Sequence, residues 1–207
     1  MSDAPPVAAL IFDLGNVLLP FDHGRMTTQT AKLLGIDAAQ LDAFWFGEDQ
    51  LFWRMENGEF DSRELHRLLS DRFAPSDYDA FAAAASDIFN PDTAMADLVQ
   101  SLDAGGYRLV LLSNTSDLHI DFIRRTYDTL QPFDALTLSY EVACSKPEPA
   151  IYEHAIARTG HPAAACLFVD DRPENVAGAE AVGLRAHQFT DAATLRGWLR
   201  EHGVAGR

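Results

Sequence analysis

The sequence predicts an α/β fold: a doubly wound, Rossmann-like parallel sheet with an α-helical insertion after its first strand. Three observations predict it. Short apolar runs alternate with amphipathic helical patterns through most of the chain. Polar residues stand immediately after several of those runs. One long stretch, 21–90, carries helical patterns and no strand-like run.

The first apolar run, 7–12, ends in Asp13, with Gly15 close behind. A strand buried on both faces reads as a continuous apolar run, which places Asp13 at its C-terminal tip, where open sheets hold their chemistry. Helical patterns follow at 26–34, 37–46, 48–56, 63–73 and 78–89. An insertion at this point in the chain is expected to fold over the strand tips as a lid. A helix over 93–104 follows, with Met95, Leu98, Val99 and Leu102 on one face, stopped by Gly105-Gly106. The run 108–112 leads into Ser113-Asn114-Thr115 and a helix lined by Leu118, Phe122 and Ile123. A further strand is expected at 135–138. Pro149 and Gly160 bracket one helix and Pro173 and Gly183 another. Between them the run 166–169 leads into Asp170-Asp171, and a last strand is expected at 184–188. The chain thus divides into an α/β core, 1–20 and 91–207, and a helical cap, 21–90.

The length of 207 residues suits one domain, or one core with an inserted subdomain. A net charge of −15 argues against nucleic acid or an anionic membrane as a broad-surface partner. An anionic substrate would therefore need positive charge of the site's own. Cys144 and Cys166 show no metal spacing, and sparse cysteine fits a reducing compartment. The N-terminal region has no basic segment and no long apolar stretch before Asp13, so a cytoplasmic protein is expected, as a monomer or weak homodimer.

In a parallel sheet the polar strand ends converge. That gathers Asp13, Ser113, Asn114, Lys146, Asp170 and Asp171 in one cleft. Three adjacent carboxylates cannot all stay ionised unless a cation offsets their repulsion. Oxygen ligands with room for water suit Mg2+, which prefers a few carboxylates plus substrate phosphate. Lys146 is a point charge for a phosphoryl oxygen, and Ser113 with the amides that follow offers anion-binding donors. Asp13 is then a nucleophile candidate through an aspartyl-phosphate. Each signal alone has a plainer reading as a turn, a helix cap or a surface loop; the ordered set does not.

At these residues the chain resembles the haloacid dehalogenase-like hydrolases over nearly its whole length. Phe12-Asp13-Leu14-Gly15-Asn16-Val17 resembles the first motif and Leu112-Ser113-Asn114-Thr115 the second. Lys146-Pro147 resembles the third, and Val169-Asp170-Asp171 with Asn175, Gly178 and Ala179 the fourth. Leu118-His119, Ile151-Tyr152, His154 and Glu56-Asn57-Gly58-Glu59 are similar to bacterial α-D-glucose-1-phosphate phosphatase-like members. The resemblance implies a phosphatase for a small phosphorylated metabolite such as a hexose 1-phosphate. Asp13 would attack phosphorus. Asp13, the Gly15 carbonyl and Asp170 would hold Mg2+, with Asp171 acting through water. Ser113, Asn114 and Lys146 would grip the phosphoryl group, and Asn175 would brace the fourth motif's loop.

One position departs from the pattern. Most phosphatases of this kind carry a second Asp two residues after the nucleophile, as the general acid–base; here that residue is Gly15. The leaving group could need little protonation, metal-bound water could carry the proton, or a side chain near the cap hinge could substitute, His23 and Asp22 being nearest in sequence. The aromatic-rich stretch Trp45, Phe46, Phe52, Trp53, Arg54 and Glu56 is either cap core or a specificity surface. Two rival functions remain: a 2-haloacid dehalogenase, which needs no metal and is disfavoured by Asp170-Asp171, and a non-catalytic binding or scaffold protein.

Overall fold

The computed structural model describes residues 5–205. Its centre is a sheet of five parallel strands: β1 (Ala9–Phe12), β2 (Arg108–Ser113), β3 (Ala135–Leu138), β4 (Cys166–Asp170) and β5 (Arg185–Gln188), in the order β3-β2-β1-β4-β5. All five were expected from the apolar runs. Side chains alternate between two apolar layers. Leu10, Phe12, Leu109, Leu111, Leu167 and Val169 face one, while Ala9, Ile11, Val110, Leu112, Cys166 and Phe168 face the other. Both faces are covered over the centre of the sheet, so β1, β2 and β4 are largely apolar rather than alternating with polar residues, whereas the edge strand β5, Arg185–Gln188, is mostly polar and only partly buried.

The order makes β1 the switch point, because the chain leaves it toward β2 on one side and later returns as β4 on the other. Such a reversal opens a crevice at the carboxyl ends of the strands. Phe12 lies opposite both Leu111 and Val169, which brings Asp13 and Asp170 to the same level at that crevice.

Between β1 and β2 come α1 (His23–Leu34), α2 (Ala38–Phe46), α3 (Leu51–Glu56), α4 (Ser62–Arg72), α5 (Tyr78–Ser86) and α6 (Thr93–Ala104). The remaining helices are α7 (Asp117–Thr126), α8 (Ser139–Val142), α9 (Pro149–Thr159), α10 (Pro173–Ala181) and α11 (Ala192–Glu201). Many starts are set by aspartate. Asp22, Asp37, Asp61, Asp77, Asp92 and Asp191 each accept a backbone N–H as N-cap, a contact worth about 1 kcal/mol. Part of the acidic excess therefore sits where helix starts use it.

Two expected helices are shorter than the sequence pattern suggested. α3 starts at Leu51 rather than at 48, because Gln50 takes a left-handed conformation with φ 46°. α5 stops at Ser86 rather than at 89, because the next backbone groups pair elsewhere. Ile88 O accepts from Asp22 N at 3.2 Å, Asn90 N donates to Pro20 O at 2.8 Å, and Phe89 bridges Phe21. The helical insert thus leaves and rejoins the sheet through two adjacent, hydrogen-bonded segments. No helix among the described residues is long and apolar enough to cross a membrane.

Candidate active site

The strand tips bring the expected cluster together. Asp13 is only 7 % exposed; its amide donates to Val169 O at 2.9 Å. Its Oδ1 accepts from Leu14 N at 2.7 Å and lies 2.7 Å from Lys146 Nζ. Lys146 is buried, and its ammonium also reaches Asp170 Oδ2 at 2.6 Å and Leu112 O at 3.2 Å. Asp170 is fully buried and accepts from Arg172 N at 2.9 Å and from Asn175 Nδ2 at 2.9 and 3.1 Å. Asp171, half-buried, accepts from Asn16 Nδ2 at 3.3 Å. One carboxylate oxygen from each of Asp13, Asp170 and Asp171 lies within 4.8 Å of the others.

The charges are frustrated. Burial, opposed by Lys146 and reinforced by Asp170, raises the Asp13 carboxyl to about 7. Burial opposes the Lys146 charge, but Asp13 and Asp170 outweigh it and hold the ammonium above its ordinary range. Asp171 is raised by burial and then by Asp170. Three carboxylates therefore face one ammonium, with only oxygen donors on the acidic side. That donor set suits a hard divalent cation such as Mg2+.

Asn114 differs from a free phosphate donor. Its Oδ1 accepts from Lys146 N at 2.8 Å and its Nδ2 donates to Lys146 O at 3.0 Å. It is a two-point clamp that fixes where Lys146 leaves the chain. Ser113 keeps its hydroxyl near the cluster, with one long contact to Asn114 O at 3.4 Å. Gly178 lets α10 pack close to the same segment: a Cβ there would lie 3.0 Å from Pro147.

Position 15 is closed to a side chain. A Cβ on Gly15 would lie 2.7 Å from Phe21 Cε1. The Phe21 ring is itself held, 4.8 Å from His23 and 6.3 Å from Phe89 between centroids.

A cavity of about 390 Å³ opens over the cluster. The sheet side contributes Asp13, Gly15, Ser113, Asn114, Lys146 and Asp171, and the insert contributes Phe21, His23, Trp53 and Glu56. The aromatic stretch therefore divides. Trp45 and Phe52 are buried in the core, whereas Trp53 is 48 % exposed at the cavity. Of the two hinge candidates, Asp22 is occupied as the cap of α1 and does not line the cavity. His23 does line it, and burial holds its imidazole below the ordinary range against the pull of Asp22 and Asp42. His119 faces the same space; burial, then His23, lowers it to about 4, and its Nε2 meets Ala85 O at 3.3 Å.

Sequence reasoning did not find the ties between insert and sheet. Ser139 Oγ donates to Glu56 O at 2.5 Å and accepts from Thr115 N at 2.9 Å. Ser145 Oγ donates to Asn57 Oδ1 at 2.6 Å. The Asp117 carboxylate accepts from Ser62 N at 3.1 Å and from Ser62 Oγ at 2.5 Å. Ser139 does carry a signal, a hydroxyl directly after an apolar run, but its partners lie far away in sequence.

Comparison with known proteins agrees with this arrangement. A family model described as haloacid dehalogenase-like hydrolase matches residues 7–183. The chain is 25 % identical to a sesquiterpene phosphatase of Aspergillus oryzae over 93 % of this chain and 95 % of that protein. It is 26 % identical to the D-ribitol-5-phosphate phosphatase of Bacteroides thetaiotaomicron, over 90 % and 94 %. A crystal structure of a haloacid dehalogenase family enzyme from Bacteroides thetaiotaomicron, in complex with magnesium and inorganic phosphate, superposes with a TM-score of 0.80. It is 26 % identical and covers 91 % of this chain and 98 % of that one.

Proposed function

Because the chain belongs to the haloacid dehalogenase-like hydrolases, we propose that it is an Mg2+-dependent phosphatase that cleaves a small phosphate monoester through an aspartyl-phosphate on Asp13. The observation that carries this reading is the convergence of Asp13, Asp170 and Asp171 around Lys146. A dehalogenase has no use for three carboxylates repelling one another in a buried site, and a scaffold has no use for a buried ammonium threaded between two of them.

The residues divide the work. Asp13 Oδ1 is held by Leu14 N and Lys146, and no protein hydrogen bond among the described residues reaches Oδ2. Oδ2 is therefore the oxygen available to attack phosphorus. Lys146 sets its charge against the phosphoryl oxygens, Ser113 donates beside it, and Asn114 fixes Lys146 by gripping its backbone. Asn175 and Arg172 N hold Asp170 in position. Asp13, the Gly15 carbonyl and Asp170 would hold Mg2+, with Asp171 alongside; the ion supplies charge neutralisation and aligns nucleophile and phosphate.

Residues 21–90 act as a cap over a core of 1–20 and 91–207, and the cap face sets specificity. Its aromatic and polar lining, Phe21 and Trp53 beside His23 and Glu56, suits a sugar ring, and a hexose 1-phosphate is the first substrate to test. The two phosphatase relatives bear the names of different leaving groups, a polyol and a sesquiterpene, so the panel should include both alcohol types. Hydrolysis of p-nitrophenyl phosphate is expected with Mg2+, and is expected to be lost with EDTA and in Asp13→Asn. Activity indifferent to EDTA would sink the mechanism.

A further inference from the structure

Nothing at position 15 can move a proton, and Phe21 stands where a side chain would go. A departing alkoxide still needs a proton. The titratable groups around the cavity are Asp13, Lys146, Asp171, His23, His119 and Glu56, with Arg172 at the rim. Most are engaged. Asp13 and Lys146 pair with each other, Asp171 belongs to the carboxylate cluster, and Arg172 turns to Glu174. His119 is tied to Ala85 O. His23 is packed among Phe21, Phe46 and Phe52, and burial favours its neutral form.

Glu56 is different. Among the described residues, no hydrogen bond or ion pair reaches its carboxylate, while its neighbours Arg54 and Glu59 pair with each other at 2.7 Å. Its segment is tied down at successive residues, by the Glu56 carbonyl, the Asn57 side chain and the close approach of Gly58. Glu56 O accepts from Ser139, Asn57 accepts from Ser145, and Gly58 presses so close that a Cβ would lie 2.3 Å from Tyr140 O. Ser139 also holds the Thr115 amide, and Ser145 precedes Lys146 in the chain. An unpartnered acid is thus carried into the cavity on a segment anchored to the loops that follow Ser113 and precede Lys146. Enclosure without a partner pushes the Glu56 carboxyl up to about 7, which keeps a protonated fraction at neutral pH.

We propose that Glu56 is the general acid–base that Gly15 cannot be: it protonates the leaving oxygen and then activates the hydrolytic water. The assignment rests on the phosphatase reading above. In the first step the Asp13 Oδ2–P bond forms, the P–O bond to the leaving group breaks, and the Glu56 proton passes to the departing oxygen. In the second, water attacks phosphorus and gives its proton to the Glu56 carboxylate. The Asp13–P bond then breaks, releasing inorganic phosphate and restoring both side chains.

The test is rapid-mix kinetics of Glu56→Gln, which keeps the shape and removes the acid. With p-nitrophenyl phosphate, whose leaving group needs no proton, a stoichiometric burst is expected, followed by turnover slowed on the order of 10²–10⁴-fold with phosphoenzyme accumulating. With an alkyl phosphate no burst is expected and turnover falls by a similar factor. Glu56→Asp, with an acid on a shorter arm, should recover part of the alkyl-ester rate, and it carries the test if the Gln variant misfolds. Equal slowing of the first turnover on both esters, or unchanged rates on both, overturns the assignment of Glu56 alone. A wild-type protein that turns over neither ester with Mg2+ overturns the phosphatase reading as well.

Discussion

Gly15→Ala is expected to expose how tightly Phe21 fills the space beside Asp13. The added Cβ would sit 2.7 Å from Phe21 Cε1, well inside van der Waals contact. The ring cannot simply retreat, because His23 and Phe89 flank it and Phe21 is bridged to Phe89 through the backbone. Overpacking of this kind costs about 1–3 kcal/mol. Replacing glycine also restricts the unfolded chain, a gain of about 0.4–1 kcal/mol. The net expectation is a loss of roughly 0–2.6 kcal/mol, centred near 1 kcal/mol. In a Phe21→Leu background the ring edge is gone, and the same Gly15→Ala change should be neutral or stabilising. The assay is urea denaturation of the four proteins of the cycle, read as shifts in midpoint at constant m. Additive effects within about 0.5 kcal/mol would refute the contact. By the same geometry Gly15→Asp should fail to install a working acid while Phe21 is present.

Other expectations follow from the site and its ties. Glu56 has a folded pKa of about 7 against an ordinary 4.5. Its contribution to stability is therefore fully present below the unfolded value and lost as pH rises through 7. At about 1.36 kcal/mol per unit the loss is at most roughly 3.4 kcal/mol, so Glu56→Gln should gain on wild type between pH 4.5 and 8 in urea midpoints, and a constant difference would contradict it. Lys146→Met leaves Asp13 and Asp170 without their buried cation and should cost the metal-free protein about 3–5 kcal/mol by chemical denaturation. Mg2+ should raise the melting temperature of wild type, with a much smaller response in Asp170→Asn; equal responses would place the ion elsewhere. Ser62→Ala and Asp117→Ala should be coupled by about 0.5–3 kcal/mol in a double-mutant cycle, whereas additivity would show that the tie contributes nothing.

The strands were legible because burial on both faces of a parallel sheet leaves an unbroken apolar word, such as Ala9-Leu10-Ile11-Phe12, with nothing local to confuse it. The insert's helices were legible from their 3.6-residue period, but their ends were less so. Gln50 and Asp87 depart from the pattern for reasons of backbone conformation and long-range pairing that composition does not encode. The members of the charged cluster were legible from their order along the chain, although their division of labour was not. Asn114 reads as one more phosphate donor until its amide is seen gripping the Lys146 backbone. The α11 helix carries its own signal in the sequence, with Asp191 as cap ahead of Leu195 and Leu199 on one face. Glu56 was visible only as the polar edge of an aromatic stretch. Its isolation in the cavity depends on where Ser139 and Ser145 place it, and neither lies near it in sequence.

The paired segments at the foot of the insert have a consequence for ancestry and engineering. Pro20 and Asp22 on the outgoing path exchange backbone hydrogen bonds with Asn90 and Ile88 on the return path, so the two ends of the helical segment already touch. A module whose ends meet can be grafted, deleted or exchanged through a short linker at little loop-closure cost, without changing the register of β1 against its neighbours. The same sheet can therefore pass down its strand-tip carboxylates unchanged while successive lineages trade the helical cassette above them, and a laboratory can do the same with one pair of splice points.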